Sequence, residues 1–134
     1  MPSNNPSDVQ IYLGVTDLAD ASAFLTFAEE VERLGYPGIS MPHSIARDFH
    51  RVDTLIMLSA AAARTRRVRL NIAALQIPLF APVALARNLM SIDRLSGGRL
   101  EIAAAVGWVP KEFENLGIPE RMKPGVARVN AMAF

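Results

Sequence analysis

The sequence predicts an α/β protein made of parallel β/α units. Two observations carry this. Strand-like and helix-like patterns alternate along the chain from Val9 onward, with no linker or low-complexity stretch between them. Such alternation implies parallel strands joined by right-handed helical crossovers. The 134 residues, 51% hydrophobic and 20% charged, also suit one real core, since a chain of this size buries roughly two-thirds of its unfolded surface. Two architectures fit the alternation: a doubly wound open sheet, or four strands and four helices forming half of a TIM (β/α)8 barrel.

Each element has its own signal. Residues 1–8 read as a disordered tail, polar and proline-bearing, and residues 9–134 as the folded domain. Val9–Val15 is the first strand, with Val9, Ile11, Leu13 and Val15 on one parity. Asp17 or Asp20 caps a helix running to about Leu34, whose apolar face carries Phe24, Phe27, Ala28, Val31 and Leu34. Glu29 and Arg33 have the spacing of a favourable surface pair, and Gly35 suits the helix stop. Gly38–Met41 is a short second strand. Asp53 or Thr54 starts a second helix through Ala63, apolar almost all round.

Val68–Leu75 forms the third strand. Pro82 suits the first turn of a third helix, with Leu85, Ala86, Leu89, Met90 and Ile92 on its buried face, and Ser96-Gly97-Gly98 ends it. Arg99–Val106 is the fourth strand, followed by a short helix near Glu112–Leu116. A last helix could begin at Gly125.

Composition excludes several function classes. The chain has no cysteine, which removes disulfides, thiolate metal sites and cysteine nucleophiles. Its net charge of +1 gives no global field for nucleic acid or an anionic membrane. No apolar run reaches the ~18 residues of a membrane helix, and no secretory leader is visible, so a cytoplasmic protein is expected. There is no G-x-G-x-x-G, no phosphate-binding Walker loop, no G-x-S-x-G, and no metal-ligating histidine pair. The basic run Arg64–Arg69 lies where a helix ends and a strand begins, so the helix dipole accounts for it.

Parallel α/β folds place their sites at the carboxyl ends of the strands. His43 follows the second strand directly and can bond a ring or shuttle a proton; Ser44, Asp48 and His50 follow it. A structural hydrogen bond would explain His43 as well. The third strand ends in Ala73-Ala74-Leu75-Gln76, where small residues admit either a flat ligand or a closely packed helix. The fourth ends in Val106-Gly107-Trp108, where glycine permits close approach and tryptophan can wall a pocket or simply pack.

The segments FAEEVERLGYPGISMPHS and AAARTRRVRLNIAALQIPLFAPVALARNLMSIDRLSGGRLEIAAAVGWVPKEFENLGIP resemble the bacterial luciferase-like monooxygenase family. PVALARNLMSIDRLSGGRLEIAAAVGW is the most specific part. The resemblance runs from Ile11 to about Pro119 and leans toward members that use a deazaflavin coenzyme in place of FMN.

It implies a TIM-barrel oxidoreductase holding FMN or a deazaflavin coenzyme beside a small organic substrate. His43, with Ser44, would be the polar catalytic contact, and Ala73, Ala74, Leu75, Val106, Gly107 and Trp108 would surround the cofactor ring. A non-prolyl cis peptide in a bulge is expected at Ala74-Leu75. Trp108 stands where related deazaflavin sugar-phosphate dehydrogenases carry an acidic residue, so that dehydrogenase activity is not expected. The strand-two motif reads Pro-His-Ser in place of Asp-His or Glu-His. Family members run to about twice this length, near the ~250 residues of a full barrel. Three readings follow: an oxidoreductase in a half-barrel or truncated form, a non-catalytic half-barrel module pairing with a second copy or a complementing chain, or a truncated product without a role of its own.

Overall fold

The computed structural model describes residues 10–14, 20–44, 52–107 and 109–118. Within them β1 (Tyr12–Gly14), α1 (Ala21–Arg33), β2 (Gly38–Met41), α2 (Thr54–Arg64), β3 (Arg69–Gln76), α3 (Pro82–Ser96), β4 (Leu100–Ala105) and α4 (Pro110–Asn115) follow in order, with a 3-10 turn at Ile77–Leu79 after β3. The strands form one parallel sheet in the order β1-β2-β3-β4. These are consecutive β/α units, as expected of half a (β/α)8 barrel. The terminal tail, the outer ends of the predicted first strand and the helix predicted from Gly125 lie outside the described residues.

Register separates the two faces of the sheet. Ile39, Met41, Leu70 and Ile72 are fully buried and pack with Phe24, Ala28 and Val31 of α1, Leu58 and Ala61 of α2, and Leu85 and Ile92 of α3. The opposite parity carries Tyr12, Ser40, Asn71, Ala73, Glu101 and Ala103, since successive strand residues point to opposite faces. On that face Ser40 donates to Asn71 Oδ1 at 2.8 Å, and Glu101 accepts from Tyr12 and Arg69.

The caps follow the sequence. Asp20 accepts from the backbone N–H of Ser22 and Ala23, and Asp53 from those of Leu55 and Ile56. Pro82 occupies the first turn of α3, and Gly97 closes it in the left-handed conformation.

Some expectations are corrected. Leu34 sits at the α1 C-cap and is exposed, and Ala86 and Met90 point outward from α3, so the buried face of α3 is the narrower set Leu85, Leu89, Ile92 and Ser96. The second helix, apolar almost all round and so expected to be well covered, leaves Ile56 64% exposed. Arg33 pairs with Glu30, three residues away, while Glu29 instead accepts from Arg64 of α2 at 2.6 Å. The neighbouring helix offers Glu29 a partner that the one-helix pattern cannot show.

The basic run is engaged within the fold. Arg66 donates to the carbonyls of Ala63 and Thr65 at the end of α2, and Arg69 pairs with Glu101. The Glu32 carboxylate accepts from the backbone N–H of Arg66, Arg67 and Val68. Burial pushes the Glu32 carboxyl up, but these backbone donors outweigh it and hold it below the usual range. Arg99, just before β4, fastens the same corner. Its guanidinium donates to the carbonyls of Ala62, Thr65, Val68 and Ser96 and to Thr65 Oγ1. The Arg-Leu-Ser-Gly-Gly-Arg-Leu segment therefore builds the amino ends of the strands, opposite the end where ligands bind in such folds.

Candidate functional site

At the carboxyl ends of β2, β3 and β4 the chain gathers His43, Ser44, Gln76, Gly107, Glu112 and Phe113. His43 follows β2 by two residues and is only 4% exposed. Its ring lies against Phe80, with centroids 5.0 Å apart and planes tilted 43°. Gln76, the last residue of β3, is buried and donates through Nε2 to the His43 carbonyl at 3.2 Å. This bond ties the loop after β2 to β3. Thr54 at the start of α2 donates to the Pro42 carbonyl at 2.9 Å and fixes the same loop from the other side.

Three polar atoms in this cluster stand out. His43 Nδ1, His43 Nε2 and Gln76 Oε1 are all buried and make no hydrogen bond among the described residues. Burying such groups unpaired costs roughly 1–3 kcal/mol each, so a native fold that keeps them calls for an explanation such as a ligand site. Burial pushes the His43 imidazole below its ordinary pKa, while the charges of Asp53 and Glu112 pull the other way without overcoming it. The neutral ring then offers one donor and one acceptor.

Backbone geometry opens the adjoining surface. Ala73 and Ala103 are register partners on the open face, and both are exposed. The sheet register slips between Ala73 and Leu75. The peptide Ala73-Ala74 is cis, so the cis bond lies one residue earlier than the Ala74-Leu75 bond expected from the sequence. Gly107 is buried at φ +78°. A Cβ there would come within 3.1 Å of the Phe113 ring and 3.3 Å of Gln76 Oε1. The positive φ and the close neighbours together require glycine.

The predicted residues therefore fall into groups. His43, Gln76 and Gly107 converge. Ala73 and Ala74 adjoin them on the bulge, and Val106 is half-buried at the end of β4. The Leu75 side chain belongs to the helix-side core, so it offers a ligand only backbone. Trp108 and His50 lie outside the described residues.

Glu112 was not singled out from the sequence beyond marking a short helix. It is fully buried and accepts from Ser44 Oγ at 2.7 Å, joining α4 to the loop after β2. Its Pro-Lys-Glu-Phe-Glu-Asn context reads as an ordinary short surface helix, so nothing local signals burial. Phe80 and Phe113, which wall the cluster, were equally unmarked. A groove of about 420 Å3 between α2 and α3 reaches Asp53 and Phe80. It opens beside the cluster and does not contain His43 or Gln76. Among the described residues no group of His, Cys, Asp and Glu could hold a metal ion, and no helix is long and apolar enough to cross a membrane.

With this geometry in place, residues 4–129 match the family model for luciferase-like monooxygenases. The chain belongs to that family. Its fold resembles the crystal structure of the monooxygenase RslO1 from Streptomyces bottropensis, with a TM-score of 0.77 and 26% identity over 93% of this chain and 41% of that one. The FMN-bound oxygenating constituent of 3,6-diketocamphane monooxygenase from Pseudomonas putida shares the fold, with a TM-score of 0.75 at 15% identity over 92% of this chain and 36% of that one. So does the coenzyme F420-dependent tetrahydromethanopterin reductase of Methanopyrus kandleri, with a TM-score of 0.65 at 19% identity over 84% and 31%. This luciferase-like chain spans about two-fifths of the length of the mycobacterial relatives it matches, 42% at 24% identity.

Proposed function

We propose that the strand-end cluster is a binding site for a flavin-type ring, FMN or a deazaflavin coenzyme, and that the chain contributes it to a luciferase-like oxidoreductase acting on a small organic substrate. The observation that carries this is the set of buried polar atoms on His43 and Gln76, without partners among the described residues, beside the Ala73-Ala74 bulge and Gly107. The residues fit such a ring. Ala73 and Ala103 leave a low surface for a flat group to lie on, and Gly107 lets backbone come close. His43 and Gln76 supply donors and acceptors for a ring edge, and Trp108 and Val106 would add apolar walls.

When bound, such a cofactor supplies hydride-transfer or oxygen-activating chemistry. The protein binds and orients it and keeps water out. In this reading His43 is the catalytic residue. Its neutral imidazole holds a hydrogen bond to the ring or substrate and is poised to accept a proton there.

Calorimetric titration of the chain with FMN, and separately with a deazaflavin coenzyme, tests the proposal. Binding of one of them is expected, weakened at least ~10-fold by Gly107→Val, since one lost hydrogen bond or contact near 1.4 kcal/mol already gives that factor. Absence of binding by either cofactor rejects the reading for this chain.

A second reading is favoured by the open sheet face, where Arg69, Ala73 and Ala103 are exposed and Tyr12, Ser40, Asn71 and Glu101 are only half-buried. In it the chain is a non-catalytic half-barrel module whose open face meets a second copy or a complementing chain. Light scattering separates the two: a folded monomer that binds flavin rules out the module.

A further inference from the structure

We propose that Glu112 is a positioning residue for His43: its buried carboxylate anchors the loop after β2 through Ser44 and places a negative charge next to the imidazole. The proposal deepens the preceding reading and rests on His43 being the polar group of that site.

Three observations converge on it. Glu112 is fully buried although it belongs to a helix of six residues whose other charged members are exposed. A buried carboxylate is rare and costly unless it is held by partners. Glu112 accepts from Ser44 Oγ, at 2.7 Å across 68 residues of sequence, and Ser44 is the residue next to His43. The same loop is held by Gln76 at the His43 carbonyl and by Thr54 at the Pro42 carbonyl. Pro42, His43 and Ser44 are thus each fastened to a different element: α2, β3 and α4. A loop fixed at three successive residues orients the imidazole more rigidly than packing against Phe80 alone.

The charge adds a second effect. Among the described residues, Asp53 at the start of α2 and Glu112 on α4 are the acidic groups acting on the ring, and both favour its protonated form against the burial that opposes it. An imidazole that accepts a proton during turnover would be stabilised by that charge at the moment it forms.

The test needs no cofactor, so its failure and that of flavin binding are distinguishable. His50→Gln leaves His43 as the one histidine, whose titration is followed by NMR. Adding Glu112→Gln keeps an acceptor for Ser44 and removes the charge. The His43 midpoint is expected to fall by about 1 pH unit with the melting temperature little changed. A folded Glu112→Gln protein whose His43 midpoint does not move overturns the proposal. Where Glu112→Gln fails to fold, the unsubstituted chain carries the test. The Glu112 side-chain carboxyl carbon should then show an inflection at the His43 midpoint, and a titration without that inflection overturns it equally.

Discussion

The phenol of Tyr12 donates a 2.7 Å hydrogen bond to Glu101 Oε2, joining the first strand of the sheet to the fourth. Three strand spacings separate β1 from β4, about 14 Å in a flat sheet. Glu101 also lies beyond Tyr12 in register, since it pairs with Asn71 and Tyr12 aligns with Gly38 and Arg69. A tyrosine and a glutamate meet over that span only if the sheet curls toward its open face, as a barrel wall does. Arg69, between them on β3, pairs with the same carboxylate. The curvature is thus recorded in side-chain contacts as well as in strand order.

Tyr12→Phe removes the hydrogen bond while leaving Glu101 paired with Arg69, so a modest loss of roughly 0.5–1.5 kcal/mol is expected. The pH dependence is more specific. Burial, together with the bond and charge of Glu101, pushes the Tyr12 phenol from 10.0 up to about 12. The folded state therefore keeps a proton that the unfolded chain gives up first. That contribution is complete below about pH 10 and is lost as pH rises toward about 12. Urea midpoints measured across that window should fall less steeply in Tyr12→Phe than in the parent, and equal slopes would refute the contact.

Gly38 lies under the Tyr12 ring. A Cβ there would sit 2.3 Å from Tyr12 Cε1 and 2.8 Å from the Arg69 carbonyl, and the latter is backbone that cannot turn aside. Gly38→Ala is expected to cost at least about 2 kcal/mol through forced displacement of Tyr12 or of the β2–β3 pairing. Denaturant unfolding measures it. The double substitution Gly38→Ala with Tyr12→Ala should recover only part of the loss, because the clash with Arg69 remains.

Elements were legible where the signal is local. Asp20, Asp53, Pro82 and Gly97 mark helix ends through their own backbone chemistry, and β2 runs over the predicted Gly38–Met41. Legibility failed where a partner lies on another element. Glu29 turns to Arg64, and Ala86 and Met90 face outward because α3 meets the rest of the core along a narrower strip than its apolar pattern suggests. The same holds at the candidate site. His43 and Gly107 were visible from their position after a strand. Glu112 was not, since Ser44, which donates to its carboxylate, lies 68 residues away.

Arg99 shows the same long-range logic at the opposite end of the strands. Its guanidinium reaches carbonyls on α2, on the turn before β3 and on α3. Arg99→Lys keeps the charge but cannot reproduce a planar fork with several donors. It leaves half-buried carbonyls unsatisfied, for an expected cost of about 2–3 kcal/mol. Hydrogen exchange localises the effect. The amides of Val68 to Leu70 and of Arg99 to Glu101 should lose protection first, whereas uniform loss would mean that the clamp does not hold this corner in particular.

His43 gives the sharpest conflict between stability and use. Its two nitrogens are buried without partners among the described residues, and burial lowers its pKa below the ordinary 6.5. Well above 6.5 the ring is neutral in both folded and unfolded chains and titration contributes nothing to stability. As pH falls through that value the unfolded chain takes up a proton that the folded chain resists, so stability declines until the folded ring also protonates. His43→Leu removes both the unpaired atoms and this penalty. It is expected to be at least as stable as the parent near neutrality and to gain an advantage that widens as pH falls toward 5, while losing flavin affinity. Urea unfolding of the two proteins across that pH range decides it. A His43→Leu chain that is less stable throughout would mean that the imidazole holds the fold together, and the case for keeping it as a ligand contact would go with it.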